Sequence, residues 1–408
     1  AATAASAAAV TDGRVVAGLV AILVAVLSWR SASAAVALCV LLLALPTDGI
    51  LRALGDAPQR RAAAIGLIAL ALLRLISEGR RSSLRGSLLA ALYGIAAFTG
   101  VQAVVLASPA VGLRALELVL FSLAITVLGA MSPTQRRASA CFVVAFMALQ
   151  AALGVAQFAS QQPLLVGSAL SEQNLREAQN IGGYFRGLGT FYHGNSLALA
   201  LTLTVPLAMW LRRGDSPGQR GRIWAVVVPV LSLGVLATLS RGGLAVLLFT
   251  LVWPSLARRG LARLGVAFRL AGVALIAALG YALLPLFAGA LDRFLGAAAA
   301  RDAGSGVARA SNRVGAINAW HEYPWTGVGF GRGSEVAYLY GGQRDLGAHN
   351  VYLDVLSGGG VMLVGLTGFA IFICWRSLTR ESAVRESALG ALPAFLLYGL
   401  VESVAQGV

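Results

Sequence analysis

No lysine occurs anywhere in the 408 residues, so all 32 basic side chains are arginine. That absence alone removes the phosphate-cradling GxxxxGK[ST] loop, whose lysine nothing here could supply. Charge of either sign is scarce: 12% of residues are charged and 58% hydrophobic, with a mean hydropathy of +0.78, against roughly a quarter charged in soluble domains. No stretch is long and polar enough to form a separate soluble domain. Cys39, Cys141 and Cys374 sit in apolar runs without CxxC or metal spacing, which makes them packing residues rather than ligands. No His/Cys/Asp/Glu set has zinc spacing and no paired acids suggest magnesium, so cofactor-free, metal-independent chemistry is expected. GxSxG is also missing, which argues against an ordinary serine hydrolase.

What remains is long apolar runs. A spanning helix needs about 20 mostly apolar residues, and such runs lie near 15–29, 33–46, 62–76, 87–107, 115–131, 138–158, 195–211, 222–239, 242–257, 264–288, 350–375 and 388–406. The expected fold is an all-α polytopic membrane protein with about 11–12 transmembrane helices. It is read as a single membrane domain, 1–408, carrying a shorter outer loop at 159–194 and a long one at 289–349. The first residues lack a charged stretch followed by a small-residue cleavage site, so no processed leader is expected.

Arginine distribution orients the chain, because short cytoplasmic connections hold the excess. One alternating set of connections carries 16 arginines and the other 8, with the long loop left out since long segments cross regardless of charge. The sparser set contains 159–194 and Arg241, so these and the long loop are expected on the extracytoplasmic side. The net charge of +15 points to anionic partners such as lipid headgroups and diphosphates, with the positive-inside bias as the simpler account of any one arginine.

Three polar stretches stand out against this background. The longest, from about Leu291 to Tyr352, ends in Ala348-His349-Asn350 just before an apolar helix. An imidazole held there can take a proton from an attacking hydroxyl, while Asn350 can orient a substrate or cap the helix. Within this stretch Ala310, Val314, Ile317 and Trp320 recur at helical spacing, which predicts an amphipathic helix lying on the membrane domain. The run Tyr323-Pro-Trp-Thr-Gly-Val-Gly-Phe-Gly-Arg-Gly333 then stops the helix in a tight loop. It is not a dinucleotide loop, since no strand precedes it and no helix opens on it.

The other two stretches bring arginines to the membrane surface. Arg186 and His193 precede Asn195 at a helix start, and Leu239-Ser-Arg-Gly-Gly243 places Arg241 between two apolar runs with almost no loop. A cation there is expensive unless paired or functional. With Arg313 these arginines could grip a diphosphate bidentately and stabilise its charge as it leaves; interfacial snorkelling is the simpler alternative for each. His321 reads as a surface residue, and the aromatics Tyr184, Phe185, Phe191, Tyr192, Trp320, Tyr323 and Trp325 read as an interfacial belt or as platforms for sugar rings.

Four of these patterns, in order, resemble the O-antigen ligase and polymerase superfamily. They are Arg186-Gly-Leu-Gly-Thr-Phe-Tyr-His-Gly-Asn195-Ser-Leu-Ala, Ser240-Arg241-Gly-Gly, Asn312-Arg313 with Trp320, Pro324 and Gly327-Val-Gly-Phe330, and His349-Asn350-Val-Tyr352-Leu353. Each is weak alone; the set covers about 138–376. The pattern departs once, where Gly360 is followed by Leu363 instead of a second small residue, leaving Gly358, Gly359 or Gly365 to compensate.

The resemblance implies an O-antigen ligase of the bacterial inner membrane with a periplasmic site. The donor would be undecaprenyl-diphosphate-linked O-antigen, the acceptor lipid A-core oligosaccharide, and membrane lipids the surroundings; no nucleic acid and no cofactor are implied. Arg186, Arg241 and Arg313 would hold the diphosphate, His349 would activate the acceptor hydroxyl, and His193, Asn195, Asn350 and Tyr352 would position substrate. A polymerase extending glycan on its carrier and a protein O-oligosaccharyltransferase are the near alternatives. A transporter or flippase of an anionic glycolipid is the alternative of another class, with Arg74, Glu117, Arg269 and Glu402 as its candidate charges.

Overall fold

The computed structural model describes residues 31–44, 57–80, 86–162, 164, 185–191, 194–214, 219–256, 310–332, 338–342, 350–378 and 396. Among these residues the chain is helical, with no strand: α1 (Ala32–Ala44), α2 (Ala57–Ser77), α3 (Gly86–Val105), α4 (Pro109–Ala130), α5 (Pro133–Ser160), α6 (Gly194–Gly214), α7 (Gln219–Ala237), α8 (Arg241–Leu256), α9 (310–322) and α10 (Val351–Leu378). Five are long and apolar enough to cross a membrane: α3, α4, α5, Gly194–Arg212 of α6 and Val351–Arg376 of α10. Shorter apolar stretches lie in α2, α7 and α8. The chain is therefore an all-α, multi-pass membrane protein. The runs expected at 15–29 and 264–288, and that at 388–406 except residue 396, lie outside the described residues.

Helix ends differ from the apolar runs for a local reason. α5 starts at Pro133 rather than near 138 because Ser132 and Gln135 form a reciprocal cap: the Gln135 amide N–H donates to Ser132 Oγ (3.2 Å) and the Ser132 N–H to Gln135 Oε1 (3.0 Å). Proline at the first helical position costs nothing, since its missing donor would be unsatisfied anyway. The polar first turn is thus helical although it is not apolar. α4 likewise begins at Pro109, after Ser108 in extended conformation.

The helices cluster into two compact units. One holds residues 1–145, 329–331 and 362–374, the other 146–328, 332–361 and 375–408. In the first, α1 packs on α2, α2 on α4 and α3 on α4. Its core uses small residues, Ala32, Ala35, Ala64, Ala71 and Ala130, interleaved with Ile68, Leu75, Leu120 and Val127. Apolar side chains gain little by leaving lipid, so close backbone approach over alanine supplies the contact instead. Arg114 and Glu117 pair within the first turns of α4 (2.6 Å), and Gln102 of α3 accepts the Phe330 N–H (3.3 Å). In the second unit α6 packs on α7 and α8 on both. Gly243 brings α8 against Ala198 of α6, where a Cβ would come within 2.6 Å of the alanine methyl.

The loop after α9 interlocks with α10 in that second unit. At Gly360 α10 is broken (φ 61°, ψ −165°), a conformation open essentially to glycine alone. The break frees Val361 N–H to donate to the Pro324 carbonyl (2.9 Å), and Val328 N–H donates to Ser357 O (2.9 Å). Gly327 (φ 65°) lies directly on the backbone of Gly358 and Gly359, and Gly360 on that of Trp325. Gly358, Gly359 and Gly360 therefore carry the close approach; Gly365 has nothing within 4 Å of a would-be Cβ, and Leu363 is core.

α9 is present, but it is turned the other way from expectation. Its buried face is Asn312, Gly315, Ala316 and Ala319, while Ala310, Val314 and Ile317 are exposed, Val314 at 54%. Small residues win the inner face because α9 packs over the Val328 turn and Tyr340, where Ala319 and Val328 are buried together. Asn318 Nδ2 ties the helix to the Tyr340 carbonyl (3.2 Å). Burial and then the facing Glu322 carboxylate, a hydrogen-bond partner, push the Tyr340 phenol above its ordinary range, so it stays a donor.

Candidate functional site

The best-defined cluster is built on α5. Gln150, Gly154 and Gln157 recur four and three residues apart and so share one helix face, and Gln161 follows just past the end of α5 at φ 56°. The irregular chain 185–191 is laid along that face, and its backbone is satisfied by amides. Gln157, fully buried, accepts from Leu188 N–H (2.8 Å) and Gly189 N–H (2.9 Å) through Oε1, and donates through Nε2 to Gly189 O and Leu164 O (both 2.8 Å). Gln150 Oε1 accepts from Thr190 N–H (2.8 Å) and Oγ1 (3.1 Å), and Gln161 Oε1 from Phe185 N–H (2.8 Å). Gly187 allows the approach, since a Cβ there would stand 2.5 Å from the Gly154 carbonyl oxygen. Irregular backbone among spanning helices survives only where every polar group is paired in this way.

The clamp aims Arg186 inward. Only 5% exposed, Arg186 donates from Nε to Thr238 O (2.7 Å) and from Nη2 to Asn195 Oδ1 (2.8 Å). Gly187 N–H bonds Ala237 O (2.8 Å) alongside. Arg186 thereby joins three separate segments: the 185–191 loop, the start of α6 and the turn before α8. Asn195, expected to position substrate, is here a partner of this arginine.

That turn explains the Ser-Arg-Gly-Gly run. Leu239 is held at φ 53°, costly for a bulky residue, and the reversal places Ser240 as the cap of α8. Ser240 Oγ accepts the Gly243 N–H (3.1 Å) and Ser240 O the Leu244 N–H (2.9 Å), while Thr238 Oγ1 bonds Val235 O (2.6 Å). Arg241 is then the first helical residue, at the electropositive end of α8. A cation there is unfavourable by about 0.3–1 kcal/mol on its own, and the same end favours a bound anion.

The remaining expected residues divide. Arg313 is exposed on α9, and His321 is exposed with its ring 4.9 Å from that of Trp320. Asn350 caps α10, its Oδ1 accepting from Tyr352 N–H (3.0 Å) and Leu353 N–H (3.2 Å), and the Tyr352 hydroxyl donates to Leu396 O (2.6 Å). His193 and His349, with Tyr184 and Tyr192, lie outside the described residues. Among the described residues, no group of three or more His, Cys, Asp or Glu could hold a metal ion.

Sequence reasoning passed over the three glutamines. Their signal was available: Gln150 and Gln157 on one face of the apolar part of α5, with Gln161 just past its end, are costly in lipid unless they have partners. Replacing Gln157 with leucine would strand two donors and two acceptors at about 1–3 kcal/mol each. Gln157→Leu should therefore unfold in detergent well below the parent, while Gln161→Ala, losing its bonds to Phe185 N–H and Phe158 O, should cost about 1 kcal/mol per bond. Equal unfolding midpoints for Gln157→Leu and the parent would remove the clamp.

No curated protein matches the chain. Residues 225–373 match the family model described as O-antigen ligase. The match runs from α7 through the Ser240 turn and α9 into α10. Over that stretch, a little over a third of its length, the chain is similar to the O-antigen ligase family.

Proposed function

We propose that the protein is an O-antigen ligase that moves glycan from undecaprenyl diphosphate to lipid A-core oligosaccharide at the periplasmic face of the bacterial inner membrane. The observation that carries the reading is the convergence of Arg186, Asn195 and the Thr238–Arg241 turn, with Arg241 opening α8. The acceptor hydroxyl oxygen attacks the anomeric carbon, His349 takes its proton, and the bond to the diphosphate breaks with the electron pair leaving on undecaprenyl diphosphate. A single displacement inverts the anomeric carbon. Arg241, Arg313 and the Arg186 cluster offset the charge that develops on the leaving group, and Asn350, Tyr352, His193 and Asn195 shape the substrate's seat. No metal is required for this step.

Local pairing of Arg74 and Glu117 speaks for an enzyme over a flippase; the other two candidate transport charges, Arg269 and Glu402, lie outside the described residues. Arg74 pairs with Glu78 one turn away (2.7 Å) and Glu117 with Arg114 (2.6 Å), each within or beside its own helix. The discriminating experiment supplies purified protein with undecaprenyl-diphosphate-linked glycan and lipid A-core. Glycan on lipid A-core is the expected product. Longer glycan still on the carrier would replace the ligase reading by a polymerase, and unaltered donor moved across vesicles would replace it by transport.

A further inference from the structure

The outward stripe of α9 and the Trp325 side chain after it are apolar and exposed. Val314 and Ile317 are exposed along the helix, Trp325 is 68% exposed just beyond it, and Leu339 is exposed on the turn that Asn318 holds. A water-facing surface of that composition is unfavourable, and α10 indicates where the surface lies.

The turn is fixed in register against α10 by two backbone bonds, Val328 N–H to Ser357 O and Val361 N–H to Pro324 O. The apolar span of α10, Val351–Arg376, has 26 residues and is long enough to cross a membrane. Gly360 lies nine residues into that span, not at its end. Trp325, on Gly360, is therefore at interfacial depth or deeper, beside Val361, which is itself exposed on the span.

We infer that α9 and the 323–326 turn form a membrane-seated element: the Ala310–Val314–Ile317 stripe and Trp325 dock on the phospholipid bilayer surface, with the small-residue face of α9 kept for the protein. Tryptophan and tyrosine favour that layer, and an amphipathic helix lies in it with its apolar side toward the acyl chains. Arg313, one position from Val314 at the edge of the stripe, then reaches the phosphate layer, the level at which a membrane-borne diphosphate would also lie. The inversion of α9 follows physically, since its apolar stripe is solvated by lipid instead of by helices. The inference does not depend on glycosyl transfer.

The test is depth measurement on the full chain. In a background with Cys39, Cys141 and Cys374 replaced by serine, single spin labels are placed through Val314→Cys, Ile317→Cys and, as the reference on the polar edge of α9, Glu322→Cys. Each variant, checked for a parent-like elution profile and unfolding midpoint, is reconstituted in phosphatidylethanolamine–phosphatidylglycerol vesicles. Oxygen should relax the labels at 314 and 317 at least several-fold more than a water-soluble nickel chelate does, with the order reversed at 322. Relaxation by nickel at 314 and 317 equal to that at 322 would place the stripe in water and overturn the inference. Protection from both agents would overturn it in favour of a protein cover such as a second copy.

Discussion

Replacing His349 with alanine should lower glycan transfer by about 10²–10⁴-fold, the usual contribution of a positioned general base. Arg241→Ala should fall at least as far, because the diphosphate would lose a forked donor where the end of α8 alone cannot neutralise it. Both variants should insert and keep the parent's unfolding midpoint. Ser240, which caps the helix, and Gly243, which seats it on Ala198, are untouched by Arg241→Ala. The two losses should differ with pH. For His349→Ala the residual rate should rise with alkali as acceptor hydroxyls ionise unaided, whereas Arg241→Ala should keep the parent's profile at a lower level. Near-parent transfer by either purified variant would remove that residue from the chemistry.

Gly360→Ala should be the most damaging single methyl addition. The backbone there (φ 61°, ψ −165°) costs a non-glycine residue about 1–3 kcal/mol. The new Cβ would also land on the Trp325 carbonyl group, with Pro324 O 2.7 Å away, so the neighbour that must move is backbone. Overpacking adds about 1–3 kcal/mol, and relief by straightening α10 would forfeit the Val361–Pro324 bond. A drop of several degrees or more in unfolding midpoint and loss of the 323–328 turn are expected. Gly365→Ala, five residues on, meets nothing within 4 Å and should be neutral or gain up to about 1 kcal/mol of helix propensity. If the two variants unfold alike, the interlock is not what holds this region.

Long apolar runs made the spanning helices readable, because lipid imposes length and composition together. Their ends were less readable: the Ser132–Gln135 cap extends α5 through arginines that carry no hydropathy signal. The facing of α9 was misread because an apolar stripe in a water-soluble protein turns inward, and beside lipid that rule loses its force. At the site, Arg186 and the Ser240–Arg241 turn were legible as charges that cannot sit idle among apolar runs. Their mutual contact was not, since nothing in residue order says that Arg186 will meet Thr238 O across 52 positions. The glutamines of α5 were overlooked because single amides barely disturb a hydropathy profile, and their meaning appears only once their partners are known.

The α5 face also constrains how the protein is made. The amides at 150 and 157, and Gln161 just past the end of α5, have most of their partners in residues 185–190, synthesised about 25–40 residues later, roughly one to eight seconds at ordinary translation rates. For that interval α5 must enter the bilayer with most of these bonds unmade, or wait beside the insertion machinery until the loop arrives. Nascent chains ending just before residue 185 should therefore resist extraction from the membrane less than chains ending after α6, although both contain all of α5.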